Sequence, residues 1–531
     1  MIAFDFVIVG SGSAGGLLTE RLSRDPRNTV LLVEAGPKPR NPALSIPLAG
    51  PGLAIGHPRL DWRYRSEPDP SAGNRQHDWP RGRMLGGSSR LNGMVYVRGA
   101  AHDYNRWAGD GCKGWDWTKV EPHFRSIERL VGEPDDTVHG RTGDHAIHRL
   151  NQPHALTDAF LAARFMRGSP DNPDYNGVSQ EGASVLLSSS DGRWRSSAAS
   201  GPLAKAMRRK NVKVMCNARA DRVAIEDGHA RTLIFAHHGR KMRALARRKI
   251  VLCAGAIGSP AILLRSGIGA GGDLADLGIP TVANAPGVGR NLHEHPAVQV
   301  VAQSRKPTIS TQNTASYFPK HFWDWAAKRG GLLSAATYEA IAFMRSSPEC
   351  DHPDLQMHFA PYGLIREGGK LRPHTRDTYM IQVNLSYPKS RGQITLSHAD
   401  PSVAPTVSSP LLADGRDALA LRLGVRETMQ TLQSPAFADY FDGYCLPDTK
   451  GMTEDEIADW LPHAVAPSYH PAGTCRMGTD PRAVVDPALN VRGLAGLSVA
   501  DASIIPAPIS GNIQACVMMI ASKFADAMIQ S

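Results

Sequence analysis

Six residues near the start of the chain, Gly10-Ser11-Gly12-Ser13-Ala14-Gly15, have the types and spacing that let a peptide backbone hold a phosphate. In a G-x-G-x-x-G turn, Gly10 permits the tight bend, Gly12 lets a pyrophosphate approach the backbone, and Gly15 lets a helix pack closely on a strand. The helix that begins here offers free N–H groups and the positive end of its dipole to the phosphates. Glu34 follows at the distance, roughly 20 residues, at which a carboxylate can accept the hydroxyls of an adenosine ribose. A plain tight turn with a solvated Glu34 is the alternative. The motif alone does not separate NAD from FAD.

The flanking residues supply the elements that this chemistry requires. Phe6-Val7-Ile8-Val9 and Val30-Leu31-Leu32-Val33 read as strands buried on both faces. Leu17, Leu18 and Leu22 fall at helical spacing between them, and Asp25-Pro26-Arg27-Asn28 ends the helix. Residues 37–80, rich in Pro, Gly and Arg, predict an extended excursion over the surface. Helices are expected over 101–130, with Trp107, Trp115 and Trp117 as packing anchors, and over 196–209. Strands are expected at 211–217 and 248–253. Alternating segments such as Tyr379-Met380-Ile381-Gln382-Val383-Asn384-Leu385 and Gln393-Ile394-Thr395-Leu396 predict an antiparallel sheet in a second domain. The strand Leu497-Ser498-Val499-Ala500 and a helix from Ile513 to Ile529 bring the chain back to the first. The expected division is a cofactor domain of residues 1–150, 190–300 and 464–531, and a substrate domain of 151–189 and 301–463.

Composition narrows the class. A chain of 531 residues with 42% hydrophobic and 21% charged residues can bury more than one core. The net charge of +10 is spread out, with Arg208-Arg209-Lys210 and Arg240–Arg248 its densest stretches, which argues for solvated surface rather than nucleic-acid binding. The seven cysteines are odd in number and none has C-x-x-C spacing, against a disulfide framework or a zinc site, so no metal is expected and a cytoplasmic location fits. No apolar run reaches the ~18 residues of a membrane span. The oligomeric state is not legible.

Later segments resemble the glucose–methanol–choline (GMC) oxidoreductases. These are Arg81-Gly82-Arg83-Met84-Leu85-Gly86-Gly87-Ser88-Ser89-Arg90-Leu91-Asn92-Gly93, Cys253-Ala254-Gly255-Ala256-Ile257-Gly258-Ser259-Pro260, Pro286-Gly287-Val288-Gly289-Arg290-Asn291-Leu292, Tyr469-His470-Pro471-Ala472-Gly473-Thr474-Cys475-Arg476-Met477-Gly478 and Val499-Ala500-Asp501-Ala502-Ser503. They occur in the family's order and run from end to end. The resemblance implies an α/β FAD-binding Rossmann-like domain joined to an α+β substrate domain with an antiparallel sheet. It implies that Gly86 and Gly87 let the backbone lie against FAD, with Ser88 and Asn92 as hydrogen-bonding groups. Val223 matches the position whose backbone meets the adenine, and Asp501 and Ala502 match groups near the ribityl and pyrophosphate. Ser13, Ala14, Ala35, Arg83, Gly93, Met94, Val95, Ala254, Gly255, Asn512, Ile513 and Gln514 are placed at the cofactor by the same match. Leu91 stands where some relatives carry a histidine bonded to the flavin; leucine cannot form that bond, so the FAD is expected to be non-covalent.

The implied reaction is oxidation of an alcohol, with a proton leaving oxygen and a hydride leaving carbon for the flavin N5. His470 occupies the family's catalytic histidine position, and a histidine pKa suits a base near neutral pH. Alignment of Ser510-Gly511-Asn512-Ile513-Gln514-Ala515 puts Gln514 at the second active-site position, with Asn512 two residues earlier. Gln514 can hydrogen-bond a substrate oxygen but cannot be a base. The final helix would aim its positive end at the reduced flavin. Glu339 matches a position that in choline-oxidising members lies near the substrate's cation. Trp79–Asn92, Ile250–Gly269 and Cys475–Gly478 look more like members that act on a heteroaromatic primary alcohol. The expected substrate is therefore a modest-sized primary alcohol, aromatic or heteroaromatic, with oxygen or another acceptor taking the electrons. A choline- or sugar-type alcohol dehydrogenase and a flavin-containing hydroxynitrile lyase are the alternatives.

Overall fold

The computed structural model describes residues 2–133, 136–312, 318–328, 332–334, 336–367 and 370–530. Strand Ile2–Val9, with Phe6, Val7 and Ile8 fully buried, lies in the middle of a mixed sheet. It pairs in parallel with Val30–Val33 on one side and with Arg240–Leu252 on the other. Val212–Met215 extends the parallel run beyond Val30–Val33, and Leu497–Val499 joins in parallel to Arg240–Leu252. The strands Ala218–Glu226 and His229–His237 add an antiparallel flap. Helix Ser13–Leu22 packs with the last helix, Gln514–Gln530, so both ends of the chain meet on one face of this sheet. The expected long helix at 101–130 is two helices, Ala101–Gly109 and Trp117–Ile127, with Trp107 and Trp115 buried between them and the core. The expected 196–209 helix is reduced to Pro202–Ala206.

The second sheet is antiparallel, in the order Phe441–Leu446, Pro296–Ser304, Thr378–Leu385, Leu355–Ala360, Ala340–Met344, Gly182–Val185, with Ala466–Pro467 against Pro296–Ser304. Two-residue periodicity sorts its faces. Val298, Val300, Met357, Phe359, Ile381 and Val383 point into an apolar core shared with the helices Ala155–Met166 and Gly415–Leu432. Gln299, His358, Gln382 and Asn384 take the alternate positions and face the first domain. Because Pro296–Ser304 is one unbroken strand of this sheet, the chain crosses between the domains at Pro296 rather than at 301, and it returns after Pro467.

Residues 37–80 are more than a surface excursion. Leu44 and Ala54 bury against Met84 and Leu91, and Leu48, Ile55, Trp62 and Tyr64 wall a cavity between the two sheets. All seven cysteines are free thiols. Among the described residues, no helix is long and apolar enough to cross a membrane.

Candidate active site

A cavity of about 1460 Å³ runs from the Gly10 turn to His470. That exceeds the ~300–1,000 Å³ of an ordinary ligand pocket and leaves room for a dinucleotide and a substrate together. At its nucleotide end the three glycines divide their work as the motif requires. Gly10 has φ +99°, and a Cβ there would fall 2.4 Å from the Cys253 carbonyl oxygen. A Cβ on Gly15 would fall 1.9 Å from the Gly10 carbonyl oxygen, so helix and strand touch only because it is absent. Gly12 has no atom within 4 Å of where its Cβ would stand, and that open side is where a pyrophosphate can lie against the helix N-terminus.

Glu34 is buried at the end of its strand. Its Oε2 accepts from the Ser11 N–H at 3.0 Å and the Ser11 hydroxyl at 2.5 Å, and its Oε1 accepts from Gly36 N–H at 2.8 Å. Burial raises its pKa against these hydrogen bonds. The Ser11 hydroxyl also accepts from Gly86 N–H at 3.1 Å, which ties the first turn to the Gly86-Gly87 loop. Sequence reasoning passed over Ser11 as a filler position of the motif. Asp501 similarly organises another turn: it accepts from Gly255 N–H and the Ser259 hydroxyl through Oδ2, and from the Ser503 N–H and hydroxyl through Oδ1, at 2.6–2.8 Å.

The expected cofactor residues Gly10, Gly12, Ser13, Ala14, Glu34, Ala35, Arg83, Gly87, Ser88, Asn92, Gly93, Met94, Val95, Ala254, Gly255, Asp501, Ala502, Asn512, Ile513 and Gln514 all line this cavity. Gly15 and Gly86 do not line it; they shape the turns behind it. Val223 is displaced from its expected place. It lies inside the strand Ala218–Glu226, is buried, and spends its N–H on the Ser266 hydroxyl at 2.9 Å. The cavity wall there is Ala218, Arg219 and Ala220, three to five residues earlier, because the strand begins directly after Asn217 and its first residues face the cavity.

At the other end, His470 follows Tyr469, which holds φ +67°, a left-handed conformation costly for a bulky side chain. Arg81 holds that bend by donating to the Tyr469 carbonyl at 2.7 Å, and Glu294 Oε1 accepts the His470 N–H at 2.7 Å. The imidazole is half-buried. Its Nε2 lies 3.0 Å from Asn512 Nδ2, and its Nδ1 lies 3.0 Å from His295 Nδ1. Burial, with His295, His358 and Arg81 nearby, holds its pKa well below the ordinary value, so the ring is neutral.

The residue paired with His470 is therefore Asn512, not Gln514. The Gln514 carbonyl accepts from Asn92 Nδ2, and its own Nε2 is buried in the cavity wall with no protein partner. Two residues of separation at the start of a helix turn the side chains to different parts of one site. An orphaned amide donor at the positive end of Gln514–Gln530, beside Asn92, fits an anionic or carbonyl-bearing ring system. The donor set thus suits the flavin of FAD.

The polar face of the second sheet walls the cavity beyond His470. Gln299 opposes Gln382 and Gln382 opposes His358 across neighbouring strands. Tyr338 stacks on His358 with centroids 4.7 Å apart and donates to Gln382 Oε1 at 2.9 Å. Glu339 is not part of this face. Its side chain leaves that of its neighbour Tyr338; its Oε2 accepts from His154 N–H at 2.8 Å and the Thr157 hydroxyl at 2.6 Å, at the start of the helix Ala155–Met166. Its expected place near a substrate cation is corrected by this burial, 4% exposed and outside the cavity lining. Among the described residues the only carboxylates lining the cavity are Glu34 and Asp501, both at the nucleotide end.

The N-terminal and C-terminal domains of GMC oxidoreductases match residues 4–297 and 388–521. An oxygen-dependent choline dehydrogenase of Rhizobium johnstonii is 37% identical, over 98% of this chain and 95% of its own. An alcohol dehydrogenase [acceptor] of Pseudomonas putida is 34% identical, over 99% and 96%. The crystal structure of pyridoxine 4-oxidase from Mesorbium loti superposes with a TM-score of 0.89 at 32% identity, covering 99% of both chains. The chain belongs to the GMC oxidoreductase family, the FAD-dependent alcohol oxidoreductases.

Proposed function

We propose that the protein oxidises an uncharged primary alcohol, aromatic or heteroaromatic, to the aldehyde, with His470 as base. The observation that carries this reading is the pair His470 Nε2 and Asn512 Nδ2, 3.0 Å apart and half-buried in the wall of a cavity continuous with the dinucleotide cleft. FAD, when bound, supplies the hydride acceptor. The neutral His470 exchanges the hydrogen bond from Asn512 for one from the substrate hydroxyl at its Nε2 lone pair and takes the proton as the O–H bond breaks. Asn512, an amide with no useful basicity, donates to the oxygen and holds the carbinol carbon in one orientation. Gln514 and Asn92 act on the cofactor side, with the positive end of the last helix.

The walls select against a cation. Arg75 and Arg81 line the cavity away from the Gly10 turn, and among the described residues no carboxylate lines that part. A quaternary ammonium would be desolvated there without a counter-ion. The amides of Gln299, Gln382 and Asn384 and the stacked Tyr338–His358 pair suit a flat ring carrying hydrogen-bonding heteroatoms. This departs from the choline named for several relatives.

Anaerobic mixing with 3-pyridinemethanol, benzyl alcohol and choline tests the reading. Flavin absorbance should bleach with the ring alcohols and stay oxidised with choline; admitting air then shows whether oxygen serves as acceptor. Faster bleaching by choline would overturn the substrate class, and a flavin left oxidised by every alcohol would favour a lyase. Leu91, buried at 6% exposure beside the cavity, provides no atom for a bond to the flavin. Acid precipitation should therefore leave a colourless pellet and free FAD in solution, and a yellow pellet would contradict non-covalent binding.

A further inference from the structure

We infer that His295 is the positioning residue that fixes the tautomer of His470 and, by accepting its Nδ1–H, steadies the charge that His470 acquires. The inference rests on His470 being the base. The two imidazoles meet Nδ1 to Nδ1 at 3.0 Å, so exactly one of these nitrogens carries the hydrogen. Two independent constraints decide which.

The first comes from behind His295. Its ring is buried at 3% exposure, and the backbone of Ile509 and Ser386 favours its protonated form, as carbonyl acceptors do. His295 Nδ1 faces His470, which leaves Nε2 to carry the hydrogen toward those carbonyls. Its Nδ1 is then a bare acceptor, and His470 must donate from Nδ1.

The second constraint comes from the opposite side, through a hydrogen-bond chain across the substrate sheet. Gln356 Nε2 donates to Asn512 Oδ1 at 3.2 Å, and His358 Nε2 approaches the same oxygen at 3.4 Å. With its oxygen thus engaged, Asn512 turns its amide nitrogen to His470, and the Nε2 it meets is a lone pair. Both ends therefore assign the same form of His470: hydrogen on Nδ1, lone pair on Nε2, the atom aimed at the cavity.

The backbone keeps the rings in register. Glu294 Oε1 accepts from both His295 N–H, at 2.9 Å, and His470 N–H, at 2.7 Å, so one carboxyl oxygen holds both residues. When the substrate O–H bond breaks, the proton goes to His470 Nε2 and remains there. The imidazolium then donates a stronger Nδ1–H hydrogen bond to the neutral His295. Burial keeps His295 neutral by pulling its pKa down to about 4, so the acceptor persists at working pH.

The test compares His295→Leu, which removes the acceptor, with His295→Asn, whose amide oxygen can take the Nδ1 position. In protein labelled with ¹⁵N-histidine, wild type and His295→Asn should show His470 protonated on Nδ1 only, and His295→Leu a mixture of tautomers. Flavin reduction in His295→Leu should fall on the order of a hundredfold, and His295→Asn should recover most of that loss. An unmixed tautomer in His295→Leu would overturn the inference. So would His295→Asn reducing its flavin as slowly as His295→Leu while binding FAD normally. The tautomer readout separates this from the role of His470 itself: a fixed tautomer that depends on His295 stands even if the base proves to be another group.

Discussion

His470→Ala reduces its flavin at least on the order of a hundredfold more slowly than wild type, with FAD still bound. The size follows from general-base catalysis, where a positioned proton acceptor contributes roughly 10²–10⁴-fold. The effect is chemical rather than structural because the backbone of residue 470 is held independently of its ring. Glu294 accepts its N–H, and Arg81 and His295 hold the neighbouring Tyr469 carbonyl and Ser468 N–H. Removing the ring vacates bonds only to Asn512 and His295. Stopped-flow reduction under anaerobic conditions measures the loss, and visible absorbance of the purified variant reports the FAD content. A variant that keeps the wild-type rate would remove His470 from the mechanism.

The wild-type pH profile belongs to the same prediction. The groups facing the ring are His295, His358, Arg81 and the carboxyl of Glu294, whose own pKa burial raises to about 8. Burial and the potential positive charges lower the His470 pKa, so its base form is present above that depressed value and lost only below it. The reduction rate should stay flat through neutral pH and fall well to the acid side of the ordinary histidine range. His470→Ala should abolish that acid limb.

The second large effect is at the nucleotide end and separates two glycines of one motif. A methyl group on Gly15 would sit 1.9 Å from the Gly10 carbonyl oxygen, backbone against backbone, with no side chain able to yield. Gly15→Ala should lower stability by about 1–3 kcal/mol or more through overpacking and yield a colourless protein, because the turn that receives the pyrophosphate is forced open. Gly12→Ala meets nothing within 4 Å, and its φ of −68° suits any residue. Its apoprotein should melt within about 0.5 kcal/mol of wild type, yet bind FAD on the order of tenfold or more weakly, since the methyl group stands where the phosphates approach. Thermal melts of the apoproteins and titration with FAD give both numbers. If Gly12→Ala bound FAD as tightly as wild type, the open side of Gly12 would not be the phosphate site.

Local sequence determined what depends on neighbours in the chain. The Gly10–Gly15 turn, the buried strands Ile2–Val9 and Val30–Val33 and the last helix follow from short-range pattern, because glycine conformational freedom and apolar periodicity are properties of a few consecutive residues. The alternation in Thr378–Leu385 told in advance that one face is apolar and one polar. The motifs around Gly86, Ala254, His470 and Asp501 were legible as segments for the same reason.

Tertiary structure decided what depends on direction. Asn512 and Gln514 are two residues apart, and only the path into the final helix settles that the first meets His470 while the second meets Asn92. Tyr338 and Glu339 are adjacent, yet one side chain lines the cavity and the other reaches the N-terminus of Ala155–Met166. Ser11 joins Glu34 to the Gly86 loop across 75 residues, and Glu294 and His295 meet His470 across about 175 residues. Such pairings are made by two sheets closing on one cavity, and side-chain direction across that closure is set by sheet register and chain crossing, which no local pattern of residues encodes.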